Sequence, residues 1–352
     1  MPYIFGIDGG GTQSRAVLMT DFGKVVYVGK GPALNYHYVG ASQVSSSVKR
    51  LFNEALQNAR ARPDECRGVC LGLAGAGQEK DQAILQPLFD ELFGGERCLL
   101  LSDAEIALIS GALAETGIIV LAGTGSMIYG RNKDGLDGRI GGYGPTLSDE
   151  GSGYHIGLEG LKAIAWRHDG LLEEVGFQQS IFEYMGFHQV SDMIDWINSN
   201  ASSREQIAAL AEILVRAASE DDPLAEEILN RQAEYLARFI DALHRRLSFP
   251  ESVDIVLSGG LFSDASYYWQ LVRRKIHYYL PGANIISPRM EPVMGAAIYA
   301  LSMANIDIDE NLLDLAQRTY RECRAAKSSA PKAPPSGDPP PRSASAGLTD
   351  AV

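Results

Sequence analysis

Apolar residues in the first 115 positions alternate at strand spacing and later recur at helix spacing. Apolar runs typical of strands occur at 3–8, 14–19, 25–28, 68–73 and 98–101. A helical stripe runs from Val44 to Ala59, and further helical segments separate and follow the later strands. A three-stranded meander followed by alternating helices and strands predicts an α/β domain, residues 1–115.

The same order begins again near Gly117. Two alternating runs around a second glycine turn and a short strand near Arg139 repeat the meander, which indicates an internal repeat. Residues from 151 to about 248 follow a helical pattern, in which Asp222 predicts a helix cap and Ser203-x-x-Gln206 a capping box. A strand at 253–257 and a helix near 293–305 complete a second domain, residues 116–323. That last helix could pack back on the first domain.

Composition adds limits on partners and location. The net charge of −13 gives no attraction to nucleic acid or anionic membranes, and there is no apolar run of membrane length. Four cysteines without a CxxC pair indicate free thiols in a reducing cytoplasm. Residues 324–352 are rich in Pro, Ser, Ala and Gly, so they are predicted to be a disordered tail.

Three glycine-rich turns follow predicted strands. They are Asp8-Gly9-Gly10-Gly11-Thr12, Ala122-Gly123-Thr124-Gly125-Ser126 and Ser258-Gly259-Gly260. Backbone N–H groups in such turns can hold phosphate oxygens, although tight hairpins also select glycine. The sequence has no G-x-x-x-x-G-K-[ST] motif and no G-x-G-x-x-G after the first strand, which excludes a P-loop and argues against a dinucleotide fold.

Two aspartates stand at predicted strand ends. Asp8 could hold Mg²⁺ or could close its own turn. Asp103 follows the strand at 98–101 and precedes a helix, so it could be a helix cap or a base facing the crevice at the strand ends. Position alone leaves both alternatives open.

These segments together resemble the N-acetylglucosamine kinase and BadF/BadG/BcrA/BcrD ATPase family, in the sugar kinase, Hsc70 and actin superfamily. The similarity also includes Gly141-Gly-Tyr-Gly144, Ser148-Asp-Glu-Gly-Ser152 and Asp222-Pro-Leu-Ala225, and it runs in order from Tyr3 to about Met303. The resemblance implies two ribonuclease-H-like (actin-like ATPase) domains with a nucleotide and sugar cleft between them. It also implies a homodimer.

The resemblance implies the following roles. Gly9, Gly10, Gly11 and Thr12 form one phosphate-binding hairpin, Gly123, Thr124, Gly125 and Ser126 form the other, and Ser258, Gly259 and Gly260 bind adenosine. Asp8 orients Mg²⁺, and Asp103 is the catalytic base for transfer from ATP to an amino sugar hydroxyl, expected at the 6-position.

Asn35, Thr124, Tyr143, Asp149 and Gly153 fall at sugar-lining positions of the family. Tyr143 and Ser148 replace a Trp and a Gly that members specific for the acetylated sugar often carry. The resemblance therefore leaves N-acetylglucosamine, glucosamine and N-acetylmuramic acid as alternatives.

Two other functions fit the same fold. One is an ATPase that activates a CoA-ester dehydratase or reductase through an iron–sulfur cluster, for which Cys66 and Cys70 are the only close thiol pair. The other is a non-catalytic, sugar-responsive binding protein. Because the predicted fold begins at Tyr3 and the net charge is strongly acidic, a regulator of this kind would be expected to lack its DNA-binding part.

Overall fold

The computed structural model describes residues 1–199, 203–263 and 266–328, and its strands form two five-stranded sheets. The strands of the first sheet are β1 (Tyr3–Gly9), β2 (Gln13–Thr20), β3 (Val25–Pro32), β4 (Cys66–Leu73) and β5 (Cys98–Ser102). Those of the second are β6 (Gly117–Ala122), β7 (Ser126–Arg131), β8 (Asp137–Gly141), β9 (Asp254–Ser258) and β10 (Asn284–Ile286).

The two sheets share one topology. Their spatial orders are β3-β2-β1-β4-β5 and β8-β7-β6-β9-β10. In each sheet the first three strands form an antiparallel meander and the last two run parallel to the first. The predicted α/β fold and its internal repeat are confirmed, and the two glycine hairpins occupy equivalent places.

Helices cover both sheets. They are α1 (Tyr36–Val39), α2 (Ala41–Ala59), α3 (Glu79–Phe93), α4 (Asp103–Ala112), α5 (Gly153–His168), α6 (Gln178–Met185), α7 (Val190–Asn198), α8 (Arg204–Ala209), α9 (Ala211–Ser219), α10 (Pro223–Arg246), α11 (Tyr267–Tyr279), α12 (Pro292–Met303) and α13 (Glu310–Ser328). Short 3₁₀ helices occupy Pro63–Glu65 and Gly95–Arg97. Within the described ranges, no helix is long and apolar enough to cross a bilayer.

The predicted helix starts in the second half are present. Asp222 accepts hydrogen bonds from the N–H groups of Leu224 and Ala225 at the start of α10, at 3.1 and 2.9 Å. Ser203 and Gln206 form the capping box of α8. These caps satisfy backbone donors that a helix start would otherwise leave unpaired.

Two helices, α4 and α12, join the sheets. Side chains of α4 pack against the second sheet, with Leu108 in one buried cluster with Ile119 and Val256. A Cβ added to Gly295 of α12 would lie 2.0 Å from the Ile106 carbonyl of α4, and one on Gly6 would lie 2.7 Å from Ala297 N. Helix α12 therefore packs against the first sheet although it follows the second in sequence, and α4 carries Asp103 to the interface.

The last helix, α13, is not predicted by the sequence pattern. Helix α13 extends to Ser328 and packs against β3 through a buried stripe of Leu312, Leu313, Ala316 and Tyr320. Residues 324–328, which composition assigns to a disordered tail, are thus helical. The rest of that prediction, 329–352, lies outside the described residues.

Candidate active site

Asp8 occupies the carboxyl end of β1, one residue before the strand ends. It is paired in register with Arg15 of β2 and lies beside Gly72 of β4. The guanidinium of Arg15 does not form an ion pair with Asp8. Instead, it forms an ion pair with Glu291 at the start of α12.

Asp103 is the first residue of α4, at the carboxyl end of β5. The N-cap is Ser102, whose hydroxyl accepts from Glu105 N–H at 3.2 Å while Glu105 accepts from Ser102 N–H at 2.8 Å. The helix start is therefore capped without Asp103, which resolves one alternative left open by the sequence. One Asp103 oxygen accepts from Ala104 N–H at 3.0 Å.

The pKa values of both carboxylates are raised. Burial, followed by the charge of Asp103, raises the pKa of Asp8 to about 6, although Arg15 acts in the opposite direction. Burial also raises the pKa of Asp103, against the Ala104 hydrogen bond and the charge of Arg139. Within the described ranges neither aspartate forms an ion pair. The ends of β1 and β5 thus carry two partly buried, uncompensated carboxylates.

The first hairpin has occupied carbonyls and available N–H groups. Gly9 O accepts from Ala74 N–H at 2.8 Å, and Gly10 O accepts from Leu34 N–H at 3.0 Å. The N–H groups of Gly11 and Thr12 donate no hydrogen bond to the described residues. Available backbone donors beside a carboxylate suit a phosphate with a bound cation.

The second hairpin is arranged in the same way. Gly123 O accepts from Gly153 N–H at 2.8 Å and Thr124 O accepts from Tyr154 N–H at 3.2 Å, so both carbonyls cap the start of α5. The N–H groups of Thr124 and Gly125 have no partner within the described ranges. Ser126 at the hairpin's end donates its hydroxyl to Glu150 O at 2.8 Å.

Glycine is required at most described glycine positions either by a left-handed φ or by a close neighbour. At three positions φ is not left-handed and an added Cβ would meet no described atom within 4 Å. They are Gly11, Gly123 and Gly260, one in each predicted nucleotide segment. Close approach of a ligand to the backbone is a physical reason for glycine there.

The segment after β9 lies beside the second hairpin. Gly259 has a φ of +123°, and a Cβ there would lie 2.1 Å from Ala122 O. Ser258 opens into a cavity of about 490 Å³. The cavity is also lined by Phe262, Arg289, Glu291, Met294, Tyr320, Arg321 and Arg324. The wall supplied by α13 was not foreseen from the sequence.

Asn35 caps α1 and accepts from His37 N–H at 3.1 Å. A Cβ on Gly75 would lie 2.9 Å from the Asn35 side-chain oxygen, which holds the residue against the loop after β4. Its side-chain NH₂ group has no hydrogen-bond partner in the described part of the chain. This group can donate to a sugar hydroxyl.

Asp149 is buried and has a φ of +130°, a conformation that non-glycine residues rarely adopt. It is not a helix cap, because Ser152 caps α5. One Asp149 oxygen accepts from Ser126 N–H at 3.5 Å, and the other forms an ion pair with Arg204 of α8. Burial raises the pKa of Asp149, and the Arg204 charge opposes that shift.

Tyr143 and Gly153, which are also predicted to line the sugar site, lie on either side of Asp149 in the sequence. Tyr143 is 56% exposed and its N–H donates to Ser148 Oγ at 3.0 Å, so Ser148 supports the loop. The guanidinium of Arg139 lies 5.2 Å from the Tyr143 ring centroid. A Cβ on Gly153 would lie 2.9 Å from Ala208 O, so packing alone accounts for that glycine.

Three arginines at the site were missed by sequence reasoning: Arg15, Arg139 and Arg204. Each acts on a predicted carboxylate through an ion pair or a charge interaction. Arg15 faces Asp8 across the β1–β2 hairpin, whereas Arg204 lies 55 positions from Asp149. The capping box that begins α8 predicts the helix on which Arg204 lies, but nothing local to the sequence predicts its partner.

Asp8 suits a magnesium site in which the oxygens of a bound polyphosphate supply further ligands. Mg²⁺ keeps several waters and takes one or two carboxylates together with phosphate oxygens. Asp8 supplies one carboxylate beside the open first hairpin. No group of three or more His, Cys, Asp or Glu side chains that could hold a metal occurs in the described ranges.

Cys66 and Cys70 do not face one another. Cys66 packs in the cluster beneath α2 and α3, whereas Cys70 packs in the cluster beneath α12 on the other face of the sheet. Burial raises the pKa of the Cys66 thiol to about 12 and that of Cys70 well above its usual value. This pair is unsuited to ligating one iron–sulfur cluster.

Relatives extend over most of the chain. An N-acetylmuramic acid/N-acetylglucosamine kinase of Clostridium acetobutylicum is 32% identical over 304 residues, covering 86% of this chain and 99% of the relative. An N-acetyl-D-glucosamine kinase of Dictyostelium discoideum is 29% identical over 309 residues, covering 84% and 97%.

A solved structure shares the fold. It is a Chromobacterium violaceum protein provisionally assigned as an N-acetylglucosamine kinase, with a TM-score of 0.66 and 24% identity over 86% of this chain and 99% of that one. The BadF/BadG/BcrA/BcrD ATPase family profile matches residues 5–300. This chain is therefore a member of the BadF/BadG/BcrA/BcrD ATPase family.

Proposed function

We propose that this protein transfers the γ-phosphoryl group of ATP to a hydroxyl of an amino sugar, N-acetylglucosamine or glucosamine, at the 6-position. The observation that carries the proposal is Asp103, a partly buried carboxylate that the helix cap does not need, close enough to Asp8 to shift its pKa. The two relatives reported above are named as amino sugar kinases.

The nucleotide would lie between the hairpins. The free N–H groups of Gly11, Thr12, Thr124 and Gly125 can donate to phosphate oxygens, and Ser258 leads to the cavity where adenosine would fit. Asp8 would hold Mg²⁺, which neutralises charge on the phosphates when bound. Phosphoryl transfer depends mainly on positioning and charge neutralisation, so these groups are sufficient to bind and position ATP, the phosphoryl donor.

Asp103 would accept the proton of the attacking hydroxyl. Burial raises the pKa of Asp103, which makes its carboxylate a stronger base than that of an exposed aspartate. The charge of Arg139 opposes this shift and so favours the ionised carboxylate.

The acceptor would be held by Asn35 and Asp149, with Tyr143 and the second hairpin beside it. The Asn35 side chain offers N–H donors and Asp149 offers an acceptor, so together they can bind neighbouring hydroxyls. The left-handed backbone of Asp149 supports a ligand-binding role, since such strain is concentrated at functional sites. The homodimer implied by the family resemblance stays a prediction.

Activation of a CoA-ester dehydratase is the second candidate. It requires cluster-ligating thiolates, and the only close pair in the sequence, Cys66 and Cys70, lies buried on opposite faces of a sheet. The amino sugar kinase is therefore preferred.

The test is release of ADP by the full-length protein with Mg-ATP across a panel of hexosamines and hexoses. We expect N-acetylglucosamine or glucosamine to give the highest kcat/KM, with the product phosphorylated at the 6-hydroxyl by NMR. A preference for plain glucose, or equal ADP release without any sugar, would contradict the proposal.

A further inference from the structure

Arg204 contacts the proposed acceptor side of the site, although it lies outside every predicted nucleotide-binding or sugar-binding segment. Its guanidinium forms an ion pair with the buried Asp149. Its Nη2 atom lies 2.6 Å from where a Cβ on Gly125 would stand, and its guanidinium carbon lies 5.9 Å from the Tyr154 ring centroid. Arg204 thus lies between the second hairpin, the start of α5 and the carboxylate proposed to hold the sugar.

The Arg204–Asp149 ion pair has little net charge, but its guanidinium retains N–H groups that can donate hydrogen bonds. Arginine remains protonated at all relevant pH values and carries five N–H donors. The Arg204 Nε is buried and has no hydrogen-bond partner among the described residues. Asp149 is neutralised by Arg204, so a bound ammonium group would lose water without gaining an unpaired counter-charge.

We propose that Arg204 determines acceptor specificity, favouring amino sugars that carry an acyl oxygen or a carboxylate over the protonated free amine. A carbonyl or carboxylate oxygen can accept from the spare guanidinium donors, whereas a protonated amine offers Arg204 no acceptor and finds the Asp149 charge already paired. This inference rests on the proposed function and narrows its substrate class to N-acylated amino sugars, including acidic ones.

The test compares kcat/KM for N-acetylglucosamine, N-acetylmuramic acid and glucosamine in the wild type, Arg204→Gln and Arg204→Lys. We expect the glutamine variant to lower the preference for N-acetylglucosamine over glucosamine, and for N-acetylmuramic acid over N-acetylglucosamine, by roughly tenfold each. The lysine variant keeps the charge and should retain most of both preferences. Arg216→Gln, at an exposed arginine of α9, is the matched control and should change neither.

An equal fall for all three sugars, in the glutamine and lysine variants alike, would overturn the inference and leave Arg204 as a support for Asp149. If the wild type phosphorylates none of the sugars, the proposed function fails as well. A measurement on the wild type alone does not depend on variant folding. The kcat/KM for glucosamine should rise relative to N-acetylglucosamine between about pH 7 and 9, as the free amine loses its proton, and an unchanged ratio would contradict the inference.

Discussion

The two glycine hairpins occupy equivalent places in equivalent sheets but differ in charge. At the first, Asp8 lies near a second carboxylate, Asp103, and the adjacent Arg15 is paired with Glu291. The negative charge there is largely uncompensated. Such a site favours a bound cation.

At the second hairpin the buried carboxylate is balanced. Asp149 forms an ion pair with Arg204 and accepts a backbone hydrogen bond from Ser126. The same topology therefore provides two charge environments: unpaired negative charge that suits a cation beside the first hairpin, and a paired carboxylate beside the second. The charge partners, not the hairpin fold, make the difference.

The largest expected effect belongs to Asp103→Asn. Loss of the proposed base should lower kcat by roughly two to four orders of magnitude, while ATP binding measured by calorimetry persists. Asp64→Asn, at an exposed aspartate, is the control and should leave kcat unchanged. Full turnover by Asp103→Asn would remove its role as base.

Asp8→Asn should reduce kcat roughly a hundredfold, because the proposed cation site loses its carboxylate. It should also stabilise the nucleotide-free protein at pH 7.5. The folded-state pKa of about 6 exceeds the ordinary value of 3.8. Asp8 therefore contributes stability that is present below pH 3.8 and lost as the pH rises through 6, up to about 3 kcal/mol.

Thermal melting at pH 4 and pH 7.5 measures this effect. The advantage of Asp8→Asn over the wild type should be present at pH 7.5 and absent at pH 4. Wild-type activity should decline as the pH falls below about 6, where Asp8 takes up a proton. A variant less stable than the wild type at pH 7.5 would show that Asp8 is already compensated.

Asp149→Asn should change stability in the opposite direction, because it leaves Arg204 without its ion-pair partner. The KM for the sugar should rise roughly tenfold to a hundredfold, and the KM for ATP should stay within about twofold, since a hydrogen bond to a charged group contributes about 1.5–3 kcal/mol. Asp195→Asn, exposed on α7, is the control. Equal changes in both KM values would mean that Asp149, beside the second hairpin, does not act on the sugar in preference to ATP.

Much of the fold follows from local pattern. Apolar periodicity and three glycine turns predict both meanders, and the cap at Asp222 predicts the start of α10. Strand β10 was missed because three residues, Asn284–Ile286, are too few to show alternation. Helix α13 was not predicted, and its final turn was assigned to the Pro-rich tail by composition, which outweighed the stripe that ends at Tyr320.

The site was predictable only as far as its backbone motifs. The segments containing Asp8, Asp103 and Asp149 are recognisable in order along the chain. Whether each aspartate is paired with a cation is not recognisable from the sequence. For example, Arg15 is held by Glu291, 276 positions away, and such a pairing leaves no local sequence pattern. Sequence thus identifies the carboxylates, and tertiary structure decides which of them are neutralised.

The smallest effects should come from adding a methyl group to open glycines. Gly11→Ala and Gly123→Ala meet no described atom, so stability should be unchanged or higher by up to about 1 kcal/mol. The KM for ATP should rise roughly tenfold if phosphate approaches the backbone there. Gly125→Ala should instead displace Arg204, whose Nη2 lies 2.6 Å from the new Cβ, and should raise the KM for the sugar more than that for ATP. If alanine at all three positions affected only one substrate, the two hairpins would serve that substrate together and their difference in charge would need another explanation.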